Sequence, residues 1–227
     1  MCLIEIFHVN SNIVTNYTFN LSRSKMRNIV NAVEEDTAKE SLLEFLGSIH
    51  SMSPELRAAL FSNTHLVKVN KKHILLDIDE IQKSLFFIVK GIVRSYYLDS
   101  YGKDTTSWLL FEGDLAISVY SFFSQKRSFE VLETVEDTSL LVLSYENLMM
   151  LYQIFPEFNY IGRILTEHYY IKAEEKANEL RVFSATERYH HLLEKYPNII
   201  ARIPLGMISS YLGITQSTLS RIRAKKD

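Results

Sequence analysis

The sequence predicts an α+β chain in which a β-roll is followed by one long helix and a helix-turn-helix. Three observations lead to this fold class. Short segments rich in β-branched and aromatic residues follow one another over residues 66–144. A broad apolar stripe at helical spacing then covers residues 156–181. Finally, residues 205–225 contain two short helical patterns separated by a single glycine, Gly213, which is typical of a helix-turn-helix.

The composition is that of a soluble globular protein. The chain has 227 residues, of which 47% are hydrophobic and 23% are charged, so it can bury a core. Its single cysteine, Cys2, excludes a disulfide framework or a cysteine-held metal cluster within one chain and fits a reducing cytoplasm. No apolar run reaches about 18 residues, so we expect a cytoplasmic protein with no membrane partner.

Charge is distributed unevenly along the chain. Residues 181–227 carry eight Lys and Arg against three Asp and Glu, a net charge of +5, which leaves −7 for residues 1–180. A basic segment on an acidic body predicts a polyanionic partner. A solvated basic tail is the alternative interpretation.

Four regions are predicted along the chain. Residues 1–39 form an N-terminal extension, partly disordered, with Met26 as an alternative start. Residues 40–155 form the β-roll domain, residues 156–181 the long helix, and residues 182–227 the helix-turn-helix domain. Helical patterns also cover residues 37–62, broken near Gly47 and Pro54, and Ser53 is expected to cap the helix that Pro54 begins. A capping-box pattern at Ser184 and Glu187 marks the start of the last domain.

Glycines punctuate the predicted strands at regular intervals. Gly91, Gly102 and Gly113 recur at a spacing of 11 residues, and glycine adopts the positive φ that tight turns require. Residues 99–103 are predicted to form a hairpin loop. The predicted strands cover residues 66–69, 73–76, 84–90, 92–98, 105–110, 128–132 and 138–144.

The apolar stripe of the long helix is wide enough to cover its own domain and a partner helix at once. This width predicts a two-fold homodimer, with packing on the same chain alone as the alternative. The predicted dimer positions are Ile161, Leu165, Tyr169, Ala173 and Leu180.

The helix-turn-helix pattern separates an inner face from an outer face. Thr215 is expected to cap the second helix, and Ser209 is small where the two helices approach each other. The positions expected to point inward are Ile208, Leu212, Ile214, Leu219 and Ile222. The polar residues left facing outward suit phosphates and base edges. The predicted DNA-binding residues are Thr215, Gln216, Ser217, Thr218, Ser220, Arg221 and Lys225.

At this point the chain resembles the Crp/Fnr superfamily, in a Bacteroidetes-like branch. The resemblance is carried by FFIVKG at 86–91, YGK at 101–103, FEGD at 111–114, and YLGI and TLSRIR at 211–214 and 218–223, and it covers roughly residues 40–227. It implies a cyclic-nucleotide-binding-like sensor roll, a dimerisation helix over 156–181, and a transcription regulator that binds double-stranded DNA at two half-sites. It also implies a surface for RNA polymerase, which no motif locates.

Two departures from the family pattern affect these expectations. Ile117 and Ser118 stand where cyclic-nucleotide binders have Gly-Glu, whereas Arg127 and Ser128 match the phosphate-binding pair. The predicted effector pocket is therefore Ser118, Arg127 and Ser128, for a small molecule other than cyclic AMP. The sequence also ends soon after the second helix, so most of the family's wing is expected to be missing, with Lys225 and Lys226 as substitute phosphate contacts.

Two other functions are alternatives for this sequence. The first is a ligand- or protein-binding module whose helix-turn-helix is vestigial. The second is a cupin-like metalloenzyme, which needs a metal-binding set on the strands. The seven histidines are scattered without metal-ligand spacing, and no nucleophile or phosphate-loop motif occurs. We therefore expect no enzymatic activity, no metal and no cofactor.

Overall fold

The computed structural model describes residues 23–224, so the predicted contacts Lys225 and Lys226 and most of the N-terminal extension lie outside the described residues. The chain divides into two compact units, residues 1–37 and residues 38–227. Helix α1 (Arg23–Ile49) runs across this division and includes residues 23–39 of the predicted extension, which was expected to be partly disordered.

In the second unit, helix α2 (Pro54–Asn63) begins as expected. The Leu56 backbone N–H donates to Ser53 Oγ over 3.2 Å, and Pro54 occupies the first turn, where its missing N–H costs nothing. The predicted cap is confirmed. The apolar side of this helix, with Leu56 and Leu60, is fully buried.

The β-roll consists of two four-stranded sheets. Its strands are β1 (His65–Val69), β2 (Ile74–Leu76), β3 (Ser84–Lys90), β4 (Val93–Leu98), β5 (Asp104–Leu110), β6 (Leu115–Ala116), β7 (Glu130–Thr134) and β8 (Thr138–Ser144). The sheet orders are β1-β8-β3-β6 and β2-β7-β4-β5, and all pairings are antiparallel. Each predicted strand has a counterpart, and the short β6 was not predicted.

The strand predicted over 128–132 begins later, at Glu130. The strand begins later because Ser128 lies at a bend in the chain. Its backbone N–H donates to the Glu80 carbonyl over 2.7 Å, and its hydroxyl donates to the Glu130 carbonyl over 2.7 Å. These bonds bend the chain before the sheet ladder starts.

The predicted glycine turns are confirmed. Gly91, Gly102 and Gly113 have φ of 104°, 76° and 86°. In the hairpin loop, the Asp99 N–H donates to the Lys103 carbonyl over 2.9 Å. Gly91 differs from the other two because it also lies against Thr138 of β8, so it is required by packing as well as by φ.

The remaining helices follow the roll, except for α3, which lies inside it. They are α3 (Val119–Ser124), α4 (Tyr145–Ile154), α5 (Pro156–Val182), α6 (Ala185–Lys195), α7 (Ile199–Arg202), α8 (Leu205–Tyr211) and α9 (Gln216–Ala224). Helices α3 and α7 were not predicted. The capping box at the start of α6 is confirmed, since Ser184 and Glu187 bond each other's backbone N–H. None of the helices in the described part of the chain is long and apolar enough to cross a membrane.

The second unit contains three hydrophobic clusters, and one of them joins the roll to the C-terminal helices. It combines Ile92, Leu109, Phe111 and Val135 of the roll with apolar side chains of α6–α9. We call it the shared cluster. The predicted β-roll and helix-turn-helix regions therefore bury side chains against each other, which supplies hydrophobic stabilisation across the predicted boundary at residue 182.

Candidate nucleic-acid interface

The corner between α8 and α9 is closed by Gly213. This residue has a φ of 66°, a conformation that glycine adopts without a steric cost. The Gly213 N–H donates to the Ser210 carbonyl and the Ile214 N–H donates to the Ser209 carbonyl, each over 3.0 Å. This pair of bonds is a Schellman motif, which satisfies the last carbonyls of α8 and sends the chain into α9 at a new angle.

The predicted inner face of the helix-turn-helix is confirmed. Four of its five apolar positions are buried and the fifth, Ile214, is half-buried. Ser209 is buried too, and its hydroxyl donates to the Gly206 carbonyl of its own helix over 2.9 Å, so it adds no unpaired polar group. The buried positions are Ile208, Leu212, Leu219 and Ile222.

Helix α9 begins at a side-chain cap. The Thr218 backbone N–H donates to Thr215 Oγ1 over 3.1 Å, as the sequence predicts. The outer face of α9 is open to solvent, with Thr218 half-buried at its margin. The exposed members of the predicted DNA-binding set are Thr215, Gln216, Ser217, Ser220 and Arg221. We call these five residues, with Thr218, the reading face.

Arg221 lies along its own helix. Its Nε donates to the Ser217 carbonyl over 3.4 Å and its Nη2 donates to Thr218 Oγ1 over 3.2 Å. Both bonds are on the exposed surface, where water competes with them and their net contribution is small. The guanidinium can therefore leave them for a phosphate or a base edge at little cost.

The side chain of Gln216 lies over Gly206 of α8. A Cβ at Gly206 would lie 2.5 Å from Gln216 Nε2, so the glycine leaves the space that this amide uses. No sequence pattern indicates a role for Gly206. Its position suggests that it sets the orientation of Gln216 on the reading face.

Helix α8 contacts strand β5 of the roll directly. The Thr106 backbone N–H donates to Ser210 Oγ over 2.9 Å. After the end of α6, the ring of Tyr196 stacks on that of Phe111, which follows β5, with centroids 4.0 Å apart. These contacts, together with the shared cluster, position the reading face relative to the roll.

An ion-pair network reinforces this docking. The Arg202 guanidinium of α7 donates to Glu112 through two nitrogens, at 3.1 and 2.6 Å, and also bonds Glu136. Glu112 also accepts the Gly91 N–H over 2.9 Å. Burial alone would raise the pKa of Glu112, but the bonds from Arg202 and Gly91 outweigh it and hold this pKa below its usual value. The sequence shows Glu112 only as part of a turn motif, so nothing in it signalled this role.

Lys176 of α5 is inserted between the roll and α8. Its Nζ lies 3.1 Å from the centroid of the Tyr211 ring and 5.4 Å from that of Trp108. No hydrogen-bond partner for this Nζ lies among the described residues. Burial lowers the pKa of Lys176 to about 7. Lys176 therefore links the long helix to the first helix of the helix-turn-helix, a role that helical periodicity did not indicate.

The predicted dimer positions on α5 are not equally available to a second chain. Ile161 is fully buried in its own core, so its prediction as a dimer contact is wrong: the start of α5 packs under α4 and the roll. Leu165 is half-buried against the same core, and the Tyr169 hydroxyl accepts the Leu115 N–H over 2.8 Å. Ala173 and Leu180 are exposed. Further exposed apolar residues of α5 are Tyr170, Ile171 and Val182.

The predicted effector residues serve the structure of the roll. Ser118 is buried, precedes α3, and its N–H donates to Gln82 Oε1 over 2.6 Å. Ser128 is buried at the bend described above, and Arg127 is exposed. The three side chains therefore do not form a shared polar pocket.

Residues 66–154 match the cyclic nucleotide-binding domain family. The matched segment is shorter than half of the chain. It contains strands β1–β8 and α4, and it lies within the region that the sequence analysis assigned to a sensor roll. No match is found among curated proteins.

Solved structures show the same fold over a longer part of the chain, with the cyclic nucleotide-binding domain followed by the long helix. FixK2 from Bradyrhizobium japonicum is 22% identical, with a TM-score of 0.62, over 71% of this chain and 83% of its own. CLP from Xanthomonas campestris, described as a c-di-GMP responsive global regulator, is 14% identical, with a TM-score of 0.61. The match covers 75% of this chain and 89% of CLP. A protein of Eubacterium rectale, described as a transcriptional regulator of the Crp/Fnr family, is 17% identical, with a TM-score of 0.62, over 75% and 82%. The predicted resemblance to the Crp/Fnr superfamily is confirmed at the level of the fold.

Proposed function

We propose that the protein is a dimeric, sequence-specific DNA-binding transcription regulator of the Crp/Fnr type, regulated by a molecule other than cyclic AMP. The observation that carries this proposal is the reading face, which stays exposed on α9 while the opposite side of the helix is buried. The fold shared with solved regulators supports it. The reading face is where this fold would meet DNA.

The chemistry of the reading face suits a major groove. Arg221 can donate two parallel bonds to the O6 and N7 of guanine, and Gln216 can bond an adenine edge. Thr215 and Ser217 lie at the positive N-terminal end of α9, where phosphate oxygens are favoured. No carboxylate belongs to this face to oppose the backbone of DNA.

The exposed part of α5 supports the dimer. Ala173 and Leu180, seven positions apart and so on one side of the helix, are both exposed and leave apolar surface there. A second copy of the helix is the partner that this surface would take in a two-fold arrangement. Two reading faces related by that symmetry would address two half-sites about one turn of DNA apart.

Replacing Arg221 with alanine should relax specificity at one base pair of each half-site. The loss of a bidentate contact costs about 1–3 kcal/mol of discrimination there. Selection of bound sequences from a random DNA pool, with wild-type and variant protein, would measure this change. The wild type should select a two-fold sequence.

Arg223→Ala is the matched control, because Arg223 is also exposed on α9 and carries the same charge but lies outside the reading face. It should weaken binding to all sequences alike and reduce the salt dependence. If Arg221→Ala behaves in the same way, Arg221 contacts only phosphate. If the wild type selects no sequence, the helix-turn-helix is vestigial and the binding-module hypothesis holds.

Cyclic AMP should not bind tightly. A phosphate needs a cation held in place, and Arg127 is exposed, while the Ser128 hydroxyl donates to the Glu130 carbonyl. Isothermal titration calorimetry should therefore give no stoichiometric heat at micromolar nucleotide. Tight uptake of one nucleotide per chain would contradict this part of the proposal.

A further inference from the structure

A cavity of about 400 Å³ lies between the roll and the helices that cover it. Strands β3, β5 and β8 form one wall, and helices α2, α4 and α5 contribute to the other. Sites for small molecules usually measure about 300–1,000 Å³, so this volume is large enough for a ligand. Phe87, Leu110 and Leu141 are among the buried side chains that line it.

The lining is almost entirely apolar. None of the described residues that line the cavity carries a charge. Three hydroxyls of the lining are used within the protein: those of Thr64 and Thr166 donate to backbone carbonyls over 2.8 Å, and that of Tyr169 accepts the Leu115 N–H. The wall thus offers dispersion contacts and few free hydrogen-bonding groups.

We infer that this cavity is a binding site for a neutral, apolar small molecule such as a hydrocarbon or a medium-chain alcohol. Apolar cavities of this kind exclude water and accept apolar ligands, because a ligand restores the dispersion contacts that a void forfeits. This inference does not depend on DNA binding.

The charges around the cavity favour a neutral ligand over an anion. The lining contains no cation to pair with a carboxylate or a phosphate. Ser95, which lines the cavity, donates its hydroxyl to the buried carboxylate of Glu130. A negative charge already lies behind this part of the wall, and a second one in a medium of low dielectric is strongly disfavoured.

The fluorescence of Trp108 can report ligand binding, because Trp108 is the only tryptophan of the chain and lines the cavity. We expect its fluorescence to change saturably when the full-length protein is titrated with 1-octanol. Sodium octanoate, which has the same chain length but is anionic, should bind at least tenfold more weakly. Cyclic AMP should cause no saturable change.

Matched variants locate the site. Leu165→Phe places a larger side chain at the cavity wall and should weaken the binding of 1-octanol at least fivefold. Leu98→Phe makes the same change at the end of β4, at an exposed position outside the lining, and should leave binding unchanged. Equal losses in the two variants would overturn the assignment to this cavity.

A second measurement needs no variant. A ligand that binds the folded state alone raises its melting temperature. Low concentrations of 1-octanol should therefore raise the melting temperature of the wild type, and octanoate should not. A fluorescence change that never saturates, no rise in melting temperature, or equal binding of octanol and octanoate would each overturn the inference.

Discussion

Replacing Gly91 with alanine should lower the free energy of unfolding by about 2–6 kcal/mol. A side chain at a φ of 104° is strained by about 1–3 kcal/mol. Its Cβ would also lie 2.5 Å from Thr138 Oγ1 and 2.9 Å from Thr138 Cα, and overpacking of this kind costs about 1–3 kcal/mol more. Because the Gly91 N–H donates to Glu112, a shift of the turn would also disturb the ion pairs with Arg202.

Gly102→Ala separates the two causes. Gly102 has a similar φ of 76°, but a Cβ there would meet nothing within 4 Å. We expect this variant to lose only about 1–2 kcal/mol, which is the cost of the backbone conformation. Chemical denaturation of both variants measures the difference. Equal losses would show that the contact with Thr138 contributes nothing.

The second large effect is a rise in stability with pH above neutrality. Lys176 has its pKa lowered from 10.5 to about 7 in the folded protein. Below pH 7 both states hold the proton, and the folded state bears the full cost of burying the charge. Between pH 7 and 10.5 the unfolded chain retains a proton that the folded chain has released, so stability increases with pH. At 1.36 kcal/mol per unit of pKa, the full change is about 3–5 kcal/mol.

Denaturation curves between pH 6.5 and 9.5 would measure this rise. Lys176→Met removes the titrating group and should flatten the curve. Lys172→Met, on the same helix, removes a lysine that pairs with Asp114 over 3.2 Å and should leave the rise in place. A wild-type curve that is flat or falls over this range would contradict the assignment to Lys176.

Other groups face Lys176 and limit the range of the experiment. Burial raises the pKa of Tyr211 to about 12 and also raises those of Tyr169 and Tyr196. Unfolded tyrosines ionise near pH 10, so above that pH these three lower the stability. Charged neighbours in the same pocket are Asp114, Lys172, Glu175, Glu179 and Lys195.

Local sequence patterns correctly predicted those features of the fold that depend on hydrogen bonds between residues close together in the sequence. The cap at Ser53, the capping box at Ser184 and Glu187, and the glycine corner at Gly213 each depend on residues a few positions apart. The inner face of the helix-turn-helix followed from helical spacing alone. The same logic missed β6 and α7, which are too short to show a period.

The parts that could not be predicted depend on residues far apart in the sequence. Arg202 and Glu112 are separated by 90 positions, and no pattern links them. Ile161 looked available because a helical stripe shows which side is apolar but not what covers each turn. Ser118 and Ser128 matched positions of a ligand cassette, but the backbone bonds of the roll occupy them.

The shared cluster has a practical consequence for the design of chimeric proteins. Its roll side consists of Ile92, Leu109, Phe111 and Val135, which pack against helices α6–α9. A recombinant sensor fragment that stops before α6 would present this surface to water and invite aggregation. Grafting helices α6–α9 onto a foreign domain would likewise require that domain to present apolar side chains equivalent to these four.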